Sequence, residues 1–326
     1  MAVFFGLSLV TLLVLAGGGL DLARSINQKT QMQGAVDAAA LAGAGAYTTA
    51  SASTTAQAVA KTYMDNFKAT SGITSLTYTI TPGTTTSGAT VSAYTMKVTA
   101  TSTIANTLMT IAKASNDLGV SSIAQNPVYN ITLAWSLPYG IDTNSISYYT
   151  VPADGSIPAT TPIATNNGTN SVSGTLQIPT TGSQKIGFML INTTDGNSAI
   201  VCTGFLIFQT CKSNDYGSNQ YAGTSKLVHY FYSHLSPPSK SAYPGVTQNC
   251  SLQVTTTTGA VATTGCTSSL PAYSTINCAQ ASGLTIKHWW NDMGGATDGK
   301  TFGDAVYTVT CSQVGSTAIK GLVLTN

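Results

Sequence analysis

Residues 2–46 read AVFFGLSLVTLLVLAGGGLDLARSINQKTQMQGAVDAAALAGAGA, and the reading of this stretch sets the reading of the rest. The nineteen positions from Ala2 to Leu20 carry no charge. As α-helix they span about 28 Å, close to the thickness of a bilayer core. A cleaved signal peptide is the rival reading. Against it, the pattern runs on through Asp21, Arg24 and Lys29 as helix instead of stopping at a cleavage site. From Ser25 to Ala46, apolar or small residues recur at helical spacing: Ile26, Met32, Val36, Ala39, Ala40 and Gly43. Glycine weakens a helix unless it lets another backbone come close. Gly34, Ala35, Ala39 and Gly43 are therefore expected to be packing positions, against copies of the same helix in a homo-oligomer or filament. The expectation is one helix from residue 2 to about 46 that crosses a membrane or forms a filament core.

The composition is unusual. Charged residues make up 7% of the 326 residues, there is no Glu, and Arg24 is the only arginine. A chain this poor in Glu, Lys and Arg lacks the residues that cover most helix surfaces, while its many threonines favour strands. The net charge of +2 without a basic cluster speaks against nucleic-acid binding. All six cysteines lie past residue 200: Cys202, Cys211, Cys250, Cys266, Cys278 and Cys311. No C-x-x-C pair occurs among them, so they are read as disulfides formed in an oxidising compartment. Spacing does not fix the connectivity, and the neighbours Cys202–Cys211 and Cys250–Cys266 are the expected pairings. Arg24 and Lys29 alone would place the segment after the apolar run in the cytoplasm. The cysteines place it outside, and they weigh more.

The apolar run, Asp21-Leu22-Ala23-Arg24, and then Gln31-Met32-Gln33-Gly34-Ala35-Val36-Asp37-Ala38-Ala39-Ala40-Leu41-Ala42-Gly43-Ala44 together resemble the N-terminal region of TadG-like proteins of the tight-adherence (Flp) pilus system. The stretches Lys97–Ser102, Leu108-Met109 and Val120–Ala124 resemble that family's following strand, short helix and strand, to about residue 125. The resemblance implies a bacterial envelope protein, anchored in the inner membrane with its bulk in the periplasm or outside, or sitting in an extracellular filament. It implies other pilus-assembly proteins as partners, and a minor-pilin-like or adhesive role. Many members continue into a von Willebrand A domain with D-x-S-x-S. Tyr129–Ser136 stands where that strand would begin and no D-x-S-x-S follows, so that metal site is not carried over. Type IV pilins usually place a Glu soon after the processed N-terminus, and this chain has none.

Downstream, Ala56–Ala69 has the pattern of a short amphipathic helix, Ser75–Thr81 and Thr90–Ser102 alternate as strands, and Ile104–Lys113 looks helical. Asn126-Pro127 is a boundary signal. Beyond it, Tyr129–Trp135, Lys185–Asn192, Gly204–Gln209, Leu227–Tyr232 and Ala305–Thr310 are short apolar runs between Thr, Gly and Pro turns, as in a β-sandwich or jelly roll. The expected fold is α+β: helix 1–46, a small α+β stem 47–126, and a disulfide-containing extracellular β-sandwich 127–326. Residues 128–311 also resemble, loosely, a bacterial extracellular β-domain family with a terminal G-G-D-x-D-x-N-D segment. His288–Tyr307 is the degenerate counterpart. That family's acid cluster makes calcium a possible cofactor, with Asp292, Asp298 and Asp304 as ligands. The other reading of these acids is an Asp- and Gly-rich turn.

No G-x-S-x-G, H-E-x-x-H or P-loop occurs, and His229, His234 and His288 form no catalytic spacing, so no enzyme activity is expected. Two functions remain. One is a structural or adhesive subunit whose helix anchors or polymerises. The other is a membrane-anchored carbohydrate- or calcium-binding module in which Trp289, Trp290 and Tyr230 stack on sugars.

Overall fold

The computed structural model describes residues 2–49, 51–107, 113–138, 143–166, 170–193, 200–203, 210–213, 228–236, 251–257, 270–291, 302–315 and 319–325, with the side chains of 2–16, 200–203 and 210–213 excepted. In chain order the elements are α1 (Ala2–Ala46), α2 (Ser53–Thr70), β1 (Thr77–Ser87), β2 (Thr90–Ala105), β3 (Ser115–Leu137), β4 (Thr143–Thr150), β5 (Thr161–Thr165), β6 (Val172–Thr181) and β7 (Ile186–Thr193). They continue with β8 (Ile200–Thr203), β9 (Thr210–Ser213), β10 (Val228–Tyr232), β11 (Leu252–Thr256), α3 (Cys278–Ala281), β12 (Thr285–Trp290), β13 (Ala305–Gln313) and β14 (Val323–Leu324). The chain divides into two units. Unit 1 holds residues 1–128, 181–183 and 314–326; unit 2 holds 129–180 and 184–313.

In unit 1, β1, β2 and the first part of β3 form an antiparallel sheet, with Ile80 opposite Val98 and Val98 opposite Ser122. Alternation sends Ile80, Val98, Ala100, Val120 and Ala124 to one face. There they meet Met32, Val36, Ala39, Ala40 and Ala44 of α1 and Ala56, Ala60 and Met64 of α2 in one core. The hairpin between β1 and β2 turns at Gly88, whose φ of +63° suits glycine. β14 pairs with β3 at Gln125 and Ala124.

In unit 2, the second part of β3 continues through β13 and β12 to β11, with β6 also pairing β3. A second sheet runs β10-β7-β4-β5. Inward residues of both sheets share a core: Ile131 and Leu133 of β3, Ile146 of β4, Phe188 and Leu190 of β7, Phe231 of β10, and Trp290, Tyr307 and Val309.

The expected α+β fold built around a membrane-crossing or filament-core helix is corrected here. Strands hold 49% of the structure and helices 23%, with three helices in all among the described residues. Among those residues no helix is long and apolar enough to cross a membrane. The physical reason lies in the second half of α1. It is a domain helix, with Met32, Val36, Ala39, Ala40 and Ala44 fully enclosed by its own unit. The side chains of residues 2–16, on which the apolar reading rested, lie outside the described set. The helix expected at 104–113 also fails at its start. Ile104 and Ala105 finish β2, and residues 108–112 lie outside the description.

Candidate functional site

One stripe of α1 faces inward from Asp21 to Gly43, and its chemistry changes along its length. At the upper end the stripe is polar. Asp21 is 4% exposed and accepts the Thr107 backbone N–H on both oxygens, at 3.0 and 3.1 Å. Arg24 lies 3.7 Å from Asp21 and also donates to the Thr107 hydroxyl. Ser25 Oγ donates to the Asp21 carbonyl at 2.9 Å, and Asn116 Nδ2 donates to Ser25 Oγ at 3.3 Å. Gln28 Nε2 donates to Ser102 Oγ at 2.7 Å. Asp21 and Arg24 thus clamp the chain that leaves β2 onto the helix. On the outward side of the same turns stand Leu20, Leu22 and Ile26, 60%, 59% and 56% exposed. A surface helix normally buries its apolar stripe and exposes its polar one. Here the inward stripe is polar, and three large apolar side chains stand outward among Arg24, Asn27 and Lys29.

At the lower end the stripe becomes apolar and small. Ala39 and Gly43 are buried, Ala35 is half-buried, and Gly34 is exposed with open space where a Cβ would stand. A Cβ on Gly43 would come within 2.9 Å of Ala60 Cβ and of Met96 Cγ. The expected close approach therefore occurs between α1 and this chain's own α2 and β2. The D-x-x-R spacing was visible in the sequence, but its partner Thr107 was not. Gln33 and Asp37, which hydrogen-bond at 2.7 Å, stand at the four-residue spacing that brings side chains together on a helix, a signal present in the sequence.

In unit 2 the two tryptophans separate by strand alternation. Trp290 is fully buried and donates Nε1–H to the Tyr307 hydroxyl at 2.8 Å. Trp289 is half-buried on the opposite face of β12, with its Nε1–H on Thr255 Oγ1 at 3.3 Å and the Lys287 ammonium 3.8 Å from its ring centre. Tyr230 is 39% exposed. His288 Nε2 lies 2.7 Å from the Tyr273 carbonyl, which can only accept, so Nε2 carries the proton. Nδ1 then accepts from the Tyr307 hydroxyl at 3.0 Å. Full burial drives the His288 pKa down to about 4 and pushes the Tyr307 phenol well up. His229 is also buried and also lowered to about 4 by desolvation. His234 Nδ1 meets the Tyr149 hydroxyl at 2.6 Å, and burial pushes the Tyr149 pKa up to about 12. His229 and His288 are buried, while His234 is half-buried.

Of the expected calcium ligands, Asp292 and Asp298 lie outside the described residues, and the Asp304 N–H donates to the Trp290 carbonyl at 3.1 Å. Among the described residues no three His, Cys, Asp or Glu side chains gather as a metal site. Cys278 and Cys311 form a disulfide. Cys202 and Cys211 stand opposite one another in the β8–β9 ladder, while Cys250 and Cys266 lie outside the described residues.

No curated protein and no solved structure matches the chain. Residues 1–46, which include α1 with its Asp21–Arg24 clamp, match the Tad family model, Flp pilus-assembly TadE/G-like.

Proposed function

We propose that this chain is a structural subunit of a pilus-associated assembly in the bacterial envelope, docked through α1, with unit 2 displayed outside the cell for surface attachment. The reading is supported by the exposed apolar side chains Leu20, Leu22 and Ile26 of α1 within the residues that match the pilus-assembly model. A helix that turns Asp21 and Ser25 inward and Leu20, Leu22 and Ile26 outward is suited to meeting another surface. Covering the exposed part of each of these side chains is worth about 1–2 kcal/mol. Copies of the chain or other pilus-assembly proteins supply that surface. The test is co-purification from envelopes of the bacterium that carries the protein, comparing wild type with Leu22→Gln/Ile26→Gln. Wild type should travel with pilus-assembly proteins, and the variant should be lost from them while melting at an unchanged temperature. Undiminished co-purification of the variant would sink the reading.

A second reading, carbohydrate binding by unit 2, is favoured by Trp289, which stands outward where Trp290 does not. A sugar stacked there would displace the Lys287 ammonium from the ring. Glycan-array binding that survives Trp289→Ala would remove this reading.

A further inference from the structure

The sheet of unit 1 has two open edges among the described residues. β1 has no outer neighbour, and β14 covers β3 only at Gln125 and Ala124, with the Thr325 N–H on the Ile123 carbonyl at 2.7 Å. Strand alternation fixes which backbone groups point outward. Thr325 bonds Ile123, and Gln33 Nε2 reaches the Ser121 carbonyl at 3.3 Å. Asp117, Gly119 and Ser121 therefore turn their N–H and C=O away from β2. On the other edge Gln57 Nε2 meets the Ile80 carbonyl at 3.0 Å, so Tyr78 and Ile80 turn theirs outward.

Each edge thus has one carbonyl met by a glutamine amide from a helix, in the place where a neighbouring strand would offer an N–H. Each glutamine also lines a cleft. Gln33, Asp37 and Ser122 border one of about 420 Å³, and Gln57, Lys61 and Tyr78 border one of about 470 Å³. Ser122 is 1% exposed and its Oγ has no hydrogen-bond partner. Gly119 is exposed, with nothing within 4 Å of where its Cβ would stand.

We propose that these two edges join: β1 of one copy adds to the Asp117–Ser121 edge of β3 in the next, so that the sheet of unit 1 continues from copy to copy. The inference rests on reading the chain as an assembly subunit. The occupant is a second copy because one sheet carries both edges, each with an amide holding a strand's place. Main-chain bonds supply the affinity in strand addition. The surfaces on the two partners differ, so the contact is heterologous and builds a ring where the rotation closes and an open filament where it does not. Pro82 has no N–H to turn outward and ends the pairing on β1.

The test uses the full chain in analytical ultracentrifugation. Gly119→Pro removes an outward N–H and leaves the ladder to β2 intact, while Gly119→Ala keeps that N–H. Wild type and Gly119→Ala should associate with rising concentration, and Gly119→Pro should associate about tenfold or more weakly, since a lost edge bond and a blocked strand cost at least about 1.4 kcal/mol. Amide exchange of residues 115–123 in wild type gives a readout that needs no variant: protection should rise with concentration. Repeating the series in Leu22→Gln/Ile26→Gln separates the two interfaces. If that double variant abolishes association and Gly119→Pro changes nothing, docking through α1 stands and edge pairing is overturned. If edge-dependent association persists without the α1 face, edge pairing stands by itself, and docking through α1 is decided by the co-purification alone. A monomeric wild type, or exchange that ignores concentration, also overturns edge pairing.

Discussion

Asp21 shows how one side chain can hold two segments far apart in sequence. Both of its oxygens accept the Thr107 N–H, and it is almost fully enclosed. Asp21→Ala leaves that N–H without its acceptor and should lower stability by about 1–3 kcal/mol, seen as an earlier thermal transition in circular dichroism. His288 and His229 set the pH response. Their folded pKa values near 4 lie below the ordinary 6.5, so the unfolded chain binds protons that the folded chain refuses. Stability is therefore full above pH 6.5 and falls as pH drops from there toward 4, by up to about 3 kcal/mol per histidine. The three tryptophans, Trp135, Trp289 and Trp290, all belong to unit 2, as do both histidines, so tryptophan fluorescence reads this loss directly. A fluorescence midpoint in urea that is flat between pH 7 and 4 would contradict it.

Among elements, α1 gives the sharpest contrast between neighbouring positions. Gly43→Val drives a branched side chain into Ala60 and Met96 and should cost about 1–3 kcal/mol. Gly34→Ala meets nothing and should stabilise the helix by up to about 1 kcal/mol. Thermal melts of the two variants should move in opposite directions. The sequence made the helix itself legible, because an unbroken run of Ala, Leu and Gly with a helical stripe leaves few other conformations. Its role was not legible. Asp21 and Ser25 look like a solvated face until Thr107 and Asn116 are placed against them, and those partners lie more than eighty positions away. Strands with strict alternation, such as β2 and β13, could be read from Val98 or Val309 and their polar neighbours. Ile104 and Ala105 misled because two apolar residues at a strand end carry no period. Trp289 and Trp290 could not be told apart as surface and core until the register of β12 was known.

At the scale of the whole molecule, cross-linking is confined to one part. Every cysteine lies between residues 202 and 311, inside unit 2, and the Cys278–Cys311 bond closes a sequence separation of 33. Losing a loop of that length costs about 3–4 kcal/mol in the chain-entropy model. Reduction should therefore bring forward the unfolding reported by tryptophan, while the helical signal, dominated by α1 and α2 of unit 1, holds its midpoint. A common shift of both signals would show that the two units unfold as one. The division of the chain also has a temporal side. Unit 2 is threaded into the middle of unit 1, whose last strand, β14, pairs with β3 from about two hundred positions away. Synthesis delivers a chain from its start, and domains usually fold in the order in which they appear. In this chain segments of unit 1 lie on both sides of unit 2 in sequence, so the pairing of Val323 and Leu324 with Gln125 and Ala124 can form only after the whole of unit 2 has been synthesised.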